Sequence, residues 1–281
     1  MKTYNVSLAR FKRVFFDNFG YDNIDIFNNN LKDIKITEAP YSISSLLRKL
    51  IKNNPAVYIN CDNTILLIKN DIPEFIIFHE LFHAASSLME DDMIYSGFRQ
   101  YDFKTRYDFG YGLNEGYTQY MKEKYFGQDP REKYVYLVEK HFASLLEEIV
   151  GEKNMECFYL QANLKKLYDK LQDYIDYDKI TRFMKNLDFF KDHVSSKKDD
   201  RTLLKINNKI KDCSYFLLDA FIEKEKQKLR NNEINKDEFD DNVAEFINKL
   251  DKDVYFKDYM YYGVDRDYVD TFYDNSTNKV R

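Results

Sequence analysis

Tryptophan is absent from the 281 residues, while lysine, asparagine, isoleucine and tyrosine are abundant. An AT-rich coding sequence is sufficient cause, and the tyrosine excess is assigned no function. Cysteine is scarce. Cys61, Cys157 and Cys213 are scattered, odd in number and without the spacing of a thiolate metal site. They fit core or near-surface thiols in a reducing cytoplasm better than a disulfide framework. No apolar run is long enough for a signal peptide or a membrane span. A cytoplasmic location and no membrane partner are therefore expected, with export by a route lacking a cleaved signal left open. A basic excess is missing too: 43 Lys+Arg against 48 Asp+Glu give a net charge of −5, which argues against a nucleic-acid partner. The basic stretch Lys224 to Arg230 is short and reads as a solvated face. Internal repeats, Gly/Ser linkers and glycine-rich phosphate loops are also lacking. What remains is a chain long enough to bury a substantial core, as one large domain or two packed lobes. Its oligomeric state is not legible.

Against this background one stretch stands out, Pro73 to Met89, which carries His79-Glu80-Leu81-Phe82-His83. The pattern H-E-x-x-H on a helix places two imidazoles one turn apart on one face, so both rings can reach one metal ion. Glu80 beside them can face a water on that ion. Asp71 is expected to cap the helix, Pro73 to sit in its first turn and Glu74 to favour the positive end of the dipole. Phe75, Ile76, Ile77, Phe78, Leu81, Phe82, Ala84, Ala85 and Leu88 make it apolar nearly all round, so it is expected to be buried. Polar groups buried there need partners. A divalent metal with its water is one solution, and a pair of core histidines bonded to backbone carbonyls is the other.

A catalytic zinc site takes three protein ligands and keeps one open position. Downstream lies Gly112-Leu113-Asn114-Glu115-Gly116-Tyr117-Thr118-Gln119. An HExxH helix followed by a helix opening with Asn-Glu-Gly resembles the gluzincin metallopeptidases of the thermolysin type, over about residues 73 to 121. The resemblance implies one Zn2+ per chain, held by His79, His83 and Glu115, with Glu80 as general base, and peptide-bond hydrolysis in a peptide or protein substrate. It also implies a transition-state hydrogen bond from a tyrosine or histidine, for which Tyr107, Tyr111 and His141 are the candidates. One position departs from the family pattern. Where the family has an aspartate that orients a ligand histidine, this chain has Gln119, whose amide oxygen can accept the imidazole N–H without a carboxylate's charge. That departure keeps a second reading open, a zinc-binding protein of gluzincin fold without peptidase activity, acting as a recognition or interaction module. A third is a helical interaction protein whose histidines are merely core.

The fold class expected is α+β and mostly α. Residues 1–127 would form a zincin-like core with a small sheet, and residues 128–281 an α-helical lobe packed on it. Leu8, Phe11, Phe15, Phe16 and Phe19 have helical spacing, closed by Gly20. Ile34 to Thr37 alternates like a strand, and Ile43 to Ile51 is periodic as a second helix. Ala56 to Asn60 and Thr64 to Lys69, joined by Cys61-Asp62-Asn63, read as a hairpin. In zincin folds such strands lead into the HExxH helix, and the edge strand pairs with the substrate backbone. Between Glu90 and Gly112 periodicity fails and aromatics accumulate, which reads as a hairpin or loop lining the substrate site or as a hydrophobic cluster under a loop. Arg99 or Arg106 could hold a carboxylate there. From Asp129 onward the chain reads as helices over 131–150, 153–174, about 178–193, about 200–230 and 236–250. His193 reads as a helix-end residue, and the tail beyond Asp251 as a segment that docks on the body before fraying.

Overall fold

The structure is a computed structural model and describes residues 3–19, 29–39, 55–68, 72–128, 136–193 and 200–251. The helix expected over 43–51, the Asp71 cap and the tail beyond Asp251 lie outside these residues. The elements, in chain order, are α1 (Thr3–Phe19), β1 (Lys35–Glu38), β2 (Ala56–Ile59), a 3-10 turn (Asn60–Asp62) and β3 (Thr64–Leu67). Then come α2 (Glu74–Ala85), β4 (Ser87–Glu90), β5 (Met93–Ser96), β6 (Arg99–Asp102), β7 (Asp108–Phe109) and α3 (Tyr111–Phe126). The remainder is helical: α4 (Leu137–Val150), α5 (Glu152–Leu160), α6 (Leu164–Leu171), α7 (Tyr177–His193), α8 (Asp200–Arg230) and α9 (Lys236–Asp251). The class is α+β and mostly α, as expected.

The expected hairpin forms. β2 and β3 pair antiparallel, with Tyr58 opposite Ile65, and Asn63 takes the left-handed conformation that closes the turn. β1 adds in parallel on the other side of β3, so among the described residues the sheet order is β1-β3-β2 and β2 is an edge. Ala56, Ile65 and Leu67 are buried, and the edge strand β2 lies along α2.

Four expectations about local structure change. First, Pro73 does not sit in the first turn of α2: in extended conformation it is the boundary residue, and the helix begins at Glu74. Second, α2 stops at Ala85 instead of running to Met89, because two serines turn back on its last carbonyls. Ser86 Oγ donates to Phe82 O at 2.9 Å and Ser87 Oγ to His83 O at 2.6 Å. Leu88 therefore sits in a strand, partly exposed, and not on the helix. Third, the aromatic segment after Glu90 is a regular antiparallel meander, β4-β5-β6-β7, with Asp91, Gly97 and Arg106 at positive φ in its turns. Its strands are short and only partly buried, so alternation is too brief to be read as strand. Similarly, the run 153–174 is broken into α5 and α6. Ala162 at φ 50° ends one helix, and the Asn163 side chain caps the next by accepting from Lys166 N at 3.0 Å.

One hydrophobic cluster runs through the whole described chain, from Phe11 on α1 to Leu250 on α9. α1 packs on α2 through aromatic rings: Phe11 meets Phe82 edge-on at 4.9 Å, and Phe78 stacks on Phe126 of α3 at 4.0 Å. α3 is central, packed against α2, α4 and α7. Two glycines permit this. A Cβ on Gly112 would lie 2.3 Å from Leu187 O of α7, and one on Gly116 would lie 2.3 Å from the Glu139 carbonyl carbon of α4. The N-terminus of α3 is capped from a distance, since Asp188 on α7 accepts from Gly110 N at 2.9 Å and Gly112 N at 2.8 Å.

Candidate metal centre

The packing of α2 across α3 brings together the three residues the sequence pattern singled out. His79 and His83, one turn apart on α2, converge on Glu115 in the first turns of α3. All three are buried, at 7–8 % exposure. His83 Nε2 is 3.1 Å from His79 Nε2, and Glu115 Oε2 lies 3.2 Å from His79 Nε2 and 3.4 Å from His83 Nε2. Among the described residues this is the one cluster of His, Cys, Asp or Glu able to hold a metal ion. A tetrahedral ion with bonds of about 2.0–2.1 Å keeps neighbouring ligand atoms about 3.3 Å apart. The triangle is the size such an ion requires.

Proton positions can be followed outward from the rings. His79 Nδ1 faces Gln119 Oε1 at 3.2 Å, and Gln119 Nε2 donates to Glu123 Oε1 at 2.8 Å. A carboxylate accepts, so the amide nitrogen is the end that points to Glu123 and the amide oxygen the end that points to His79. His79 Nδ1 then carries the proton, and its Nε2 lone pair faces Glu115 and His83. Gln119 thus faces an imidazole N–H with its amide oxygen, the contact expected of that position.

His83 is held differently. Asn114 Oδ1 accepts from the Phe98 backbone N–H at 3.2 Å, which turns its amide nitrogen toward His83 Nδ1 at 3.3 Å. In that arrangement Nε2 carries the His83 proton and points at His79 Nε2, a complete hydrogen-bond chain without a metal. For His83 to ligate through Nε2, its proton moves to Nδ1 and the Asn114 amide turns over to accept it. The donor set fits a cation once that amide has turned.

Glu80 lies on the same helix, and its Oε2 accepts from Tyr58 N of the edge strand β2 at 2.8 Å. Burial, joined by the nearby Glu115, pushes its carboxyl up to about 7, although His79 and the Tyr58 N–H oppose the shift. Burial alone would raise Glu115 as well. There the imidazoles of His83 and His79 outweigh it and hold the carboxyl well below the usual range. Two carboxylates in one buried pocket are thereby driven apart in acidity.

Of the aromatic candidates, Tyr111 reaches this region. Its hydroxyl bonds to Tyr136, which also bonds to Glu115. Tyr136 stacks on His79 with centroids 5.8 Å apart and rings 13° from parallel. Burial, and after it the Glu115 carboxylate, hold the Tyr136 phenol well above its usual value, so it remains a donor. Tyr136 was not legible, because it stands at positive φ at the start of α4 and outside either motif. Asn114 was visible as a letter of Asn-Glu-Gly, but its contact with His83 was not. Tyr107 lies elsewhere: half-exposed at the β6–β7 turn, it stacks on Phe109. His141 packs its ring beside Phe142 on α4. Arg99 holds a carboxylate of the chain itself, binding Asp108 through two bonds of 2.7 and 2.9 Å while its guanidinium lies over Tyr111. Arg106 is exposed in the turn before β7. No helix among the described residues is long and apolar enough to cross a membrane.

No family model, curated protein or solved structure matches this chain.

Proposed function

We propose that the chain is a zinc-dependent peptidase of gluzincin type, with His79, His83 and Glu115 as ligands and Glu80 as general base. The observation that carries this reading is the triangle of donor atoms 3.1–3.4 Å apart, with Glu80 beside it. Zinc held there supplies a Lewis acid that activates water near neutral pH and polarises a carbonyl. The chain's own groups do the rest. Glu80, already inclined to take a proton near neutrality, removes one from the attacking water and returns it to the departing amine nitrogen. The Tyr111 and Tyr136 phenols, kept protonated by burial, are the nearest donors, and one of them would turn from its present partner to meet negative charge developing on the substrate oxygen. The edge strand β2 offers an extended peptide a backbone to pair with, the zincin-like arrangement that the resemblance implies.

Turnover of a quenched-fluorescence peptide library tests this. Activity should disappear with chelator and return with zinc, and E80Q should lose at least about a hundredfold in rate while keeping its metal. An E80Q protein that cleaves as fast as wild type overturns the assignment.

A second reading is favoured by one specific observation. The hydrogen-bond chain Asn114–His83–His79–Gln119 satisfies both rings without an ion, as it would in a protein whose histidines are structural. Purified protein without stoichiometric zinc would select that reading.

A further inference from the structure

We infer that Glu123 is a positioning residue for the metal centre, acting on His79 through Gln119. This rests on the proposed metal site, but its mechanism is in the protein's own hydrogen bonds. Glu115, Gln119 and Glu123 stand at i, i+4 and i+8 on α3, so one stripe of that helix carries a ligand, its neighbour's acceptor and a charge. Gln119 is wholly buried, and an amide has two ends of nearly equal shape. Left to itself, it could offer His79 either an acceptor or a donor. Those alternatives select opposite tautomers of the ring, and only one leaves the Nε2 lone pair aimed at Glu115 and His83.

Glu123 removes the ambiguity. Its Oε1 takes the Gln119 amide N–H at 2.8 Å, and its Oε2 takes Lys140 Nζ at 2.8 Å. Lys140 comes from α4 and pairs with Glu123 where both side chains are only 15 % exposed. The ammonium holds the carboxylate in place. A carboxylate can only accept, so the amide can stand one way alone. The negative charge that the gluzincin pattern places directly against a ligand histidine is present here one amide further out. Departure at position 119 and the Glu123–Lys140 pair are thus two parts of one device.

Two measurements on the full chain test it. Zinc affinity by competition titration should fall about tenfold or more in E123Q, the usual scale for groups behind a ligand. The reciprocal exchange Q119E/E123Q, which puts the carboxylate on His79 and the amide behind it, should restore affinity to within a few-fold of wild type. The second measurement needs no metal. The 15N shifts of the His79 ring in metal-stripped protein should report the Nδ1–H tautomer in wild type and a mixture in E123Q. Should E123Q fold poorly by its melting curve, E123A, which removes the acceptor and leaves Lys140 in place, should move both readouts in the same direction. Unchanged zinc affinity and an unchanged His79 tautomer in E123Q or E123A overturn the proposal. A wild type that binds no zinc overturns the metal reading alone, because the tautomer comparison still decides what Glu123 does.

Discussion

Glu139 shows what burial does to a side chain that its partners compensate only in part. It is 3 % exposed, and its Oε2 has no hydrogen-bond partner among the described residues. Burial raises its carboxyl from 4.5 to about 7, opposed by its own backbone N–H and helped by the nearby Glu115. Between those values the folded chain keeps a proton that the unfolded chain has released, so stability falls as pH rises from about 4.5 to 7. The contribution is at most on the order of 3 kcal/mol. Urea unfolding at pH 5 and pH 7.5 should show wild type losing stability over this interval and E139Q losing markedly less. At the candidate centre, H79A should lose zinc altogether, as measured by metal analysis, because the proposed site would lose one of its three ligand atoms. Single residues were legible where chemistry fixes spacing. His79, Glu80 and His83 announce themselves within one helical turn, and Glu115 sits in a short motif of its own. Tyr136, Asn114 as a partner of His83, and Glu123 as a partner of Gln119 were not legible. Their roles depend on which helix lies against which, and local spacing does not encode that.

Elements were readable where one period persists. α1, the β2–β3 hairpin, α7, α8 and α9 lie close to where hydrophobic repetition put them. The misses share a cause, a polar or conformational signal overriding a continuing apolar pattern. Ser86 and Ser87 end α2 by bonding its last carbonyls, and Ala162 at φ 50° divides what reads as one helix. A left-handed alanine costs about 1 kcal/mol relative to glycine. A162G should therefore leave stability unchanged or raise it by up to about 1 kcal/mol in urea unfolding, even though glycine is the poorer helix former. α3 gives the converse case. Gly112 and Gly116 read as letters of a motif, and in the fold they are notches against the backbones of α7 and α4. G116A should cost about 1–3 kcal/mol in the same assay and weaken zinc binding, because α3 must move off α4 and carry Glu115 with it.

At the scale of the molecule, α3 joins the two halves that the sequence suggests. One face crosses α2 to form the candidate centre, the other packs on α4 and α7, and a single core continues through both. The centre is therefore held by the helical half as well as by the motif half: Asp188 of α7 caps α3, and Lys140 of α4 clamps Glu123. D188A should cost about 1–2 kcal/mol, the usual loss for an N-terminal cap, and lower zinc affinity in proportion to how far Glu115 shifts. That coupling could not be read from a sequence in which Glu115 and Asp188 are far apart. The most direct measurement of the central claim is the zinc content of purified protein, wild type beside E115A, after dialysis against a weak chelator. One zinc per wild-type chain and none in E115A is the result predicted. No stoichiometric zinc in wild type, or equal zinc in both, would contradict it.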